Sequence, residues 1–300
     1  MTDDAVLLEL QQEMREDVKH PRFLPTIIKI LFPDVSGYDD IKIALLCLLA
    51  NQWDGKHRER IHILLYGKPG CGKTVLMEPL EKNWGALYLS CDPTAASLKG
   101  NSSIKDGGAK IFNQYHGGIV TIDDIELMKG VNALRDVMES GRYTITKNGI
   151  HNEYDAQVRI VAATNDIKLM PPPIVSRFDL IFKFDYPTIQ QSLDILHNLL
   201  QEEDQSVNGE AYLNFYFYMV QTHEPKATDK NAIKLLVKEN LETYGIDNDE
   251  GKEGRWIAGI LRLAKAYARI RLTDIGAEEI EWALAMKRQS DEVIKNVLKC

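Results

Sequence analysis

Between residues 61 and 184, five short apolar runs recur: IHILLY (61–66), ALYLSC (86–91), GIVTI (118–122), VRIVAAT (158–164) and LIFKF (180–184). Helical or polar segments separate them. Buried strands alternating with helices predict a five-stranded parallel sheet covered on both faces, an α/β fold. Upstream, the chain reads as helices with a break at Phe32-Pro33 and a new start near Gly37-Tyr38-Asp39-Asp40, where acidic residues suit a helix N-terminus. After Asp185-Tyr186-Pro187 only helical periodicity remains, with helices expected near 188–203, 210–222, 229–243, 254–270 and 276–298. The expected organisation is a helical lead-in over 1–60, an α/β core over 61–185 and a small all-helical domain over 186–300.

Composition narrows the class. A chain of 300 residues, 44% hydrophobic and 27% charged, is long enough for one large domain or two modest ones. Its net charge of −8 confines any nucleic-acid contact to a local loop or channel. Cys47, Cys71, Cys91 and Cys300 are scattered, with no C-x-x-C pair, which argues against zinc and against a disulfide framework. The acidic N-terminus lacks the pattern of a signal peptide, and the longest apolar run, IKIALLCLLA at 41–50, is too short to span a bilayer. A cytoplasmic protein without membrane contact is the expectation.

Candidate chemistry begins where IHILLY runs into Gly67-Lys68-Pro69-Gly70-Cys71-Gly72-Lys73-Thr74, followed by the helical stretch VLMEPLEKNW. This is a complete G-x-x-x-x-G-K-[ST] between a strand and a helix. Along Pro69-Gly70-Cys71-Gly72 the backbone N–H groups from Gly70 onward turn inward on the phosphates of ATP, with Pro69 shaping the loop. Lys73 reaches the terminal phosphates and Thr74 offers a hydroxyl to Mg2+. The alternative is a glycine-rich turn. Cys71 lies inside the cradle, either as a thiol activated by the helix N-terminus or as an inert small residue.

The run GIVTI ends in Asp123-Asp124, a carboxylate pair delivered to a strand edge. With a phosphate cradle upstream, Asp123 is expected to hold Mg2+ and Asp124 to polarise the attacking water; a solvated acidic turn is the other reading. Glu126 lies past the strand edge and is expected to be a poor substitute for Asp124. Further on, RYTITKNGIHNEYDAQV reads as a β-hairpin, with a type I′ turn at Asn148-Gly149 and Lys147 at its tip.

GKPGCGKT, IVTIDD, VRIVAATN and PPPIVSRFDLIF in this order, with ALRDVMESGRYTITKNGI between them, resemble the AAA+ P-loop NTPase core of the minichromosome maintenance (MCM) replicative helicases, of archaeal type. The likeness covers about residues 20–290. It implies that the helical domain is a lid and that Asn165 is a sensor orienting the lytic water. Arg177 becomes the arginine finger for the neighbouring subunit's ATP, with a surface arginine paired to Asp179 as the alternative. Arg255 becomes the second sensor. Val35, Ser36 and His197 match positions that contact adenine. The 142–155 hairpin becomes one that projects Lys147 into a ring channel toward DNA, and 97–114 a second, shorter insert carrying Lys105. The implied assembly is a homo-oligomeric ring, a hexamer, bound to DNA in a nucleoid-associated setting, with the isolated chain largely monomeric. Arg255, Arg262 and Arg269 recur every seven residues, placing them on one helix face opposite Ile257, Ile260, Leu261 and Ala264.

Two departures from the family matter. Asp124 stands where it places Glu, one methylene longer. Its N-terminal oligonucleotide-binding, zinc-bearing region and its C-terminal winged helix have no counterpart in these 300 residues. The functions left open are an ATP-driven DNA helicase motor, a nucleotide-binding assembly protein with weak hydrolysis, and a remodeller of the chelatase or MoxR kind.

Overall fold

The computed structural model describes residues 3–51, 59–90, 111–147, 150–193, 207–244 and 252–298, with Asp92, Thr94 and Leu98. The chain divides into two compact units: Met1–Asn51 with Leu193–Lys287, and Gln52–Ser192 with Arg288–Cys300.

The second unit holds the expected sheet. All five apolar runs form strands: β1 (Ile63–Gly67), β2 (Leu87–Leu89), β3 (Ile119–Ile122) and, beyond the hairpin strands β4 (Arg142–Lys147) and β5 (Ile150–Asp155), β6 (Arg159–Thr164) and β7 (Leu180–Phe184). The sheet order is β2-β3-β6-β1-β7, and every pairing is parallel. The first strand in sequence therefore lies between the last two, with Leu64 opposite both Ala162 and Ile181. Parallel pairing brings the C-terminal ends of β1, β3 and β6 to one edge, the usual place for a ligand in an open α/β sheet. Leu64, Val120, Ile122, Ile160, Ala162 and Ile181 are buried and pack with Phe112, Leu134, Val137 and Tyr143. Buried Ser290, in the part of the helix Ala277–Leu298 that belongs to this unit, accepts from the Ile181 N–H of β7 at 2.8 Å.

At the opposite, N-terminal edge, the two residues leading toward β1 act as clamps. Arg60 donates to the carbonyl of Val137 at 2.6 Å and of Glu139 at 3.4 Å. His62 accepts from the Ile160 N–H through Nδ1 at 3.2 Å, so its proton sits on Nε2, which faces the Met138 carbonyl at 3.3 Å. These donors satisfy the end carbonyls of the helix Leu134–Ser140, which stops at Gly141 in the left-handed region (φ 68). The hairpin starts at the next residue. In it Tyr143 stacks on Tyr154 with centroids 5.5 Å apart, and Lys147 pairs with Ile150. The turn at Asn148-Gly149 lies outside the described residues.

The first unit is helical. Helix Asp39–Ala50 is apolar on every side, and nine of its residues are buried, as an all-round apolar helix requires. Helix Lys252–Ile270 packs on it. The Tyr216 hydroxyl donates to the Ile270 carbonyl at 2.7 Å, and Tyr267 stacks on Trp282 at 4.2 Å. The arginine stripe is not uniformly solvated. Arg255 is exposed, but Arg269 is buried and donates to the Asn51 side chain and the His223 carbonyl. Leu261, expected on the apolar face, is 43% exposed. Two seven-residue steps turn the stripe by only about 40° on a straight helix; Arg269 is buried because the last turns are enclosed, with Ala266, Ala268 and Ile270 buried beside it.

Candidate nucleotide site

The cradle forms as its sequence predicts. β1 ends at Gly67, Gly70 and Gly72 take the left-handed region (φ 79 and 97), and the helix Lys73–Trp84 starts directly after. Nothing lies within 4 Å of a Cβ built at either of those glycines, so backbone conformation rather than crowding demands them. Lys73, 5% exposed, donates from Nζ to the carbonyls of Gly67 (2.6 Å) and Lys68 (3.0 Å) and to Asn165 Oδ1 (3.0 Å). The ammonium is thus held inside the loop by groups that a phosphate can replace. Cys71 is buried and its thiol donates to the Lys68 carbonyl at 2.8 Å, which favours the inert reading over the activated one.

The Asp123-Asp124 pair lies beside this loop. Thr74 Oγ1 donates to Asp123 Oδ2 at 2.8 Å, and Asn165 Nδ2 donates to Asp124 Oδ1 at 2.6 Å. Asn165 is therefore oriented on both ends: its oxygen must face the ammonium and its NH2 the carboxylate. Burial, then the neighbouring Asp123 and Glu126 charges, push the Asp124 carboxyl up, while Asn165 and Lys73 pull it down. Its backbone occupies the left-handed region (φ 47, ψ 47), uncommon for a residue with a Cβ. Glu126 lies past the strand but turns back, and Oε1 accepts from the Asn165 N–H at 2.9 Å.

Arg177 occupies the other end of the sheet. It donates to the Pro173 carbonyl and to Glu139, and its side chain is only 12% exposed. Its partner is thus Glu139, whereas Asp179 accepts from the His62 N–H at 2.9 Å. Glu139 ends the helix that Arg60 and His62 clamp at the start of β1, while the cradle opens at the end of β1. The length of that strand separates them, about 13 Å at ~3.3 Å per residue.

The model of the MCM P-loop domain matches residues 10–201. The chain belongs to the MCM family. It is 26% identical to DNA replication licensing factor MCM5 of Oryza sativa subsp. indica over 91% of this chain and 44% of that protein. An MCM-type protein of Methanocaldococcus jannaschii is 29% identical over 91% of this chain and 43% of its own length, and licensing factor mcm7 of Xenopus tropicalis 25% over 97% and 46%. The chain thus spans less than half the length of these relatives. Sheet and lid are those of an AAA+ P-loop domain.

Of the residues expected in an MCM site, Lys73, Thr74, Asp123, Asp124 and Asn165 converge at one sheet edge. Val35, Ser36 and Arg255 belong to the helical unit; the Val35 carbonyl accepts from buried Lys42 at 2.6 Å. His197 and Lys105 lie outside the described residues, as does the side chain of Lys147. Thr74 and Asp123 present hard oxygen donors already in contact, a set suited to Mg2+. Among the described residues, no helix is long and apolar enough to cross a membrane. Sequence reasoning missed the roles of Glu126, Glu139 and His62. Glu126 carried a signal, a third acid beside the pair, but nothing in its spacing announced the reversal at Asp124.

Proposed function

We propose that this MCM chain is the motor module of an ATP-dependent DNA helicase that hydrolyses ATP between the subunits of a ring. The observation that carries the proposal is the division of labour across one sheet. Lys73, Thr74, the Asp pair and Asn165 gather at the C-terminal edge, and Arg177 is anchored at the N-terminal edge. An arginine about a strand's length from its own cradle serves a neighbour's phosphate better than its own.

In this reading the loop amides and Lys73 bind the phosphates, the ammonium exchanging its carbonyl partners for phosphate oxygens. Asn165 orients the attacking water and Asp124 accepts its proton. Mg2+ held by Thr74 and Asp123 would offset phosphate charge when bound. The neighbour's Arg177 exchanges Glu139 for the charge that develops on the transferred phosphoryl group. Lys147, the last β4 residue before the two-residue connection, touches the DNA backbone. Six copies in a ring would present six such lysines, so a net charge of −8 per chain is compatible with local DNA contact.

The test is complementation. Arg177→Ala should lower DNA-stimulated ATPase by roughly the 10³-fold or more typical of a lost arginine finger. Mixing it with Asp124→Ala subunits should restore turnover, because some interfaces then pair an intact pocket with an intact arginine. Mixtures as inactive as either parent would reject action in trans.

One observation favours a second reading, a nucleotide-gated assembly protein. Asp124 is a methylene shorter than the family's Glu, and Asn165 holds one of its oxygens. Displacement of about an ångström costs on the order of 100-fold. Single-turnover hydrolysis with DNA present separates the two readings.

A further inference from the structure

We infer that Glu126 is a positioning residue for hydrolysis: it holds the Asn165 backbone, and through it the sensor amide, in register with Asp124 and Lys73. The inference rests on the ATPase reading above and deepens it.

The chain after β3 has to spend three carboxylates in four residues, and the structure sends each to a different group. Asp123 accepts from Thr74 in the phosphate loop, Asp124 from the Asn165 side chain, and Glu126 from the Asn165 main chain. The reversal that makes this possible is local. Asp124 takes the left-handed conformation, and a 3-10 turn follows over Ile125–Leu127, closed by Leu127 N–H to the Asp124 carbonyl at 2.9 Å. Fully buried Ile125 anchors that turn in the core. Left-handed backbone at a residue with a Cβ has a cost, and its structural return here is the placement of Glu126.

Asn165 directly follows β6, where the ladder ends and its N–H would otherwise lack an acceptor. Glu126 supplies one across the top of the sheet, bridging the loops after β3 and β6. Among the described residues its other oxygen, Oε2, is buried and has no hydrogen-bond partner. A half-buried carboxylate that keeps one oxygen out of water while the other meets a main-chain N–H points to a requirement at that contact. The side chain of Asn165 then has its Cα fixed by Glu126 and its two amide ends fixed by Lys73 and Asp124.

The experiment uses the full chain in four forms: Glu126→Leu, Glu126→Gln, Asn165→Ala and the Glu126→Leu/Asn165→Ala double variant. Each is measured for affinity toward a fluorescent ATP analogue, for kcat and KM with DNA, and for amide exchange in the peptide covering residues 160–167. Glu126→Leu should lower kcat on the order of 100-fold, the scale of an ångström misplacement, with KM and analogue affinity unchanged. The double variant should fall no further than Asn165→Ala, and Glu126→Gln, which keeps the acceptor, should rescue most of the rate. A leucine variant at parental rate, an additive double variant, or a glutamine variant as slow as leucine would each overturn the inference. Exchange at Asn165 should quicken in the leucine variant and not in the glutamine variant; unchanged exchange in both overturns it as well. Should the parental chain bind the analogue yet hydrolyse nothing, the ATPase reading fails while exchange still decides the role of Glu126.

Discussion

Replacing Gly67 by Ala tests whether the cradle is crowded or merely bent. Gly67 is the last residue of β1 and pairs with Phe184 of β7. A Cβ built on it would lie 2.4 Å from the Phe184 carbonyl oxygen, 2.8 Å from Phe184 Cβ and 3.0 Å from Cys71 Sγ. The first two contacts involve main chain or a Cβ, so no rotamer change relieves them. The β1–β7 pair has to part, or the loop has to lift. Overpacking of this kind costs about 1–3 kcal/mol. For a unit of about 150 residues that lowers Tm by roughly 2–4 °C per kcal/mol. Lifting the loop also moves the Gly67 carbonyl, which holds Lys73 at 2.6 Å, so nucleotide binding should weaken with stability. Parent and variant are melted with and without a non-hydrolysable ATP analogue. A ligand at 100 times its Kd adds about 2.7 kcal/mol to the parent, and the variant should lose much of that gain. Gly70→Ala is the control: it meets nothing within 4 Å, so it costs backbone strain alone, about 1–2 kcal/mol, without a clash. A Gly67→Ala chain melting at the parental temperature with undiminished analogue binding would refute the packing argument.

Three further outcomes are expected. His62→Leu strips partners from the Ile160 N–H and the Met138 carbonyl in a buried site; at about 1–3 kcal/mol per orphaned group, the urea midpoint should drop by the equivalent of about 2–6 kcal/mol. Thr74→Val removes the hydroxyl paired with Asp123 while keeping shape, so it should weaken nucleotide affinity in the presence of Mg2+ and change it little in EDTA, checked by paired titrations. Asp229 caps the helix Lys230–Tyr244 by accepting from the Asn231 and Ala232 N–H groups at 2.8 and 3.0 Å, which depress its carboxyl below its ordinary 3.8. Because the folded value is the lower one, the cap's contribution is present above that ordinary value and is lost as pH falls through the depressed one. Protection factors in the first turn, each referenced to the intrinsic exchange rate at its own pH, should fall between pH 6 and pH 3 in the parent and be already low at pH 6 in Asp229→Ala.

Local pattern determined a good deal of this protein. Five apolar runs became five strands because a parallel strand buried on both faces needs a short continuous apolar sequence, while the longer run at 41–50 formed a buried helix. Gly70, Gly72, Lys73 and Thr74 were legible for a similar reason: a phosphate loop is a short stretch of backbone whose conformation and charge are set by adjacent residues. The same holds for the hairpin, whose two strands lie within fourteen consecutive residues. Tertiary structure decided the rest, because those contacts join residues far apart in the chain. Arg177 meets Glu139, 38 residues back, rather than nearby Asp179, which accepts from the His62 N–H, 117 residues away. Glu126 meets Asn165, 39 residues on, only because β3 and β6 are neighbours and the backbone reverses at Asp124. Arg269 is buried because the last turns of its helix are enclosed, where the Asn51 side chain and the His223 carbonyl accept from it. A run of residues carries its own hydrophobic period and backbone preference; which carboxylate faces which donor depends on strand order, and that exists only once the sheet has formed.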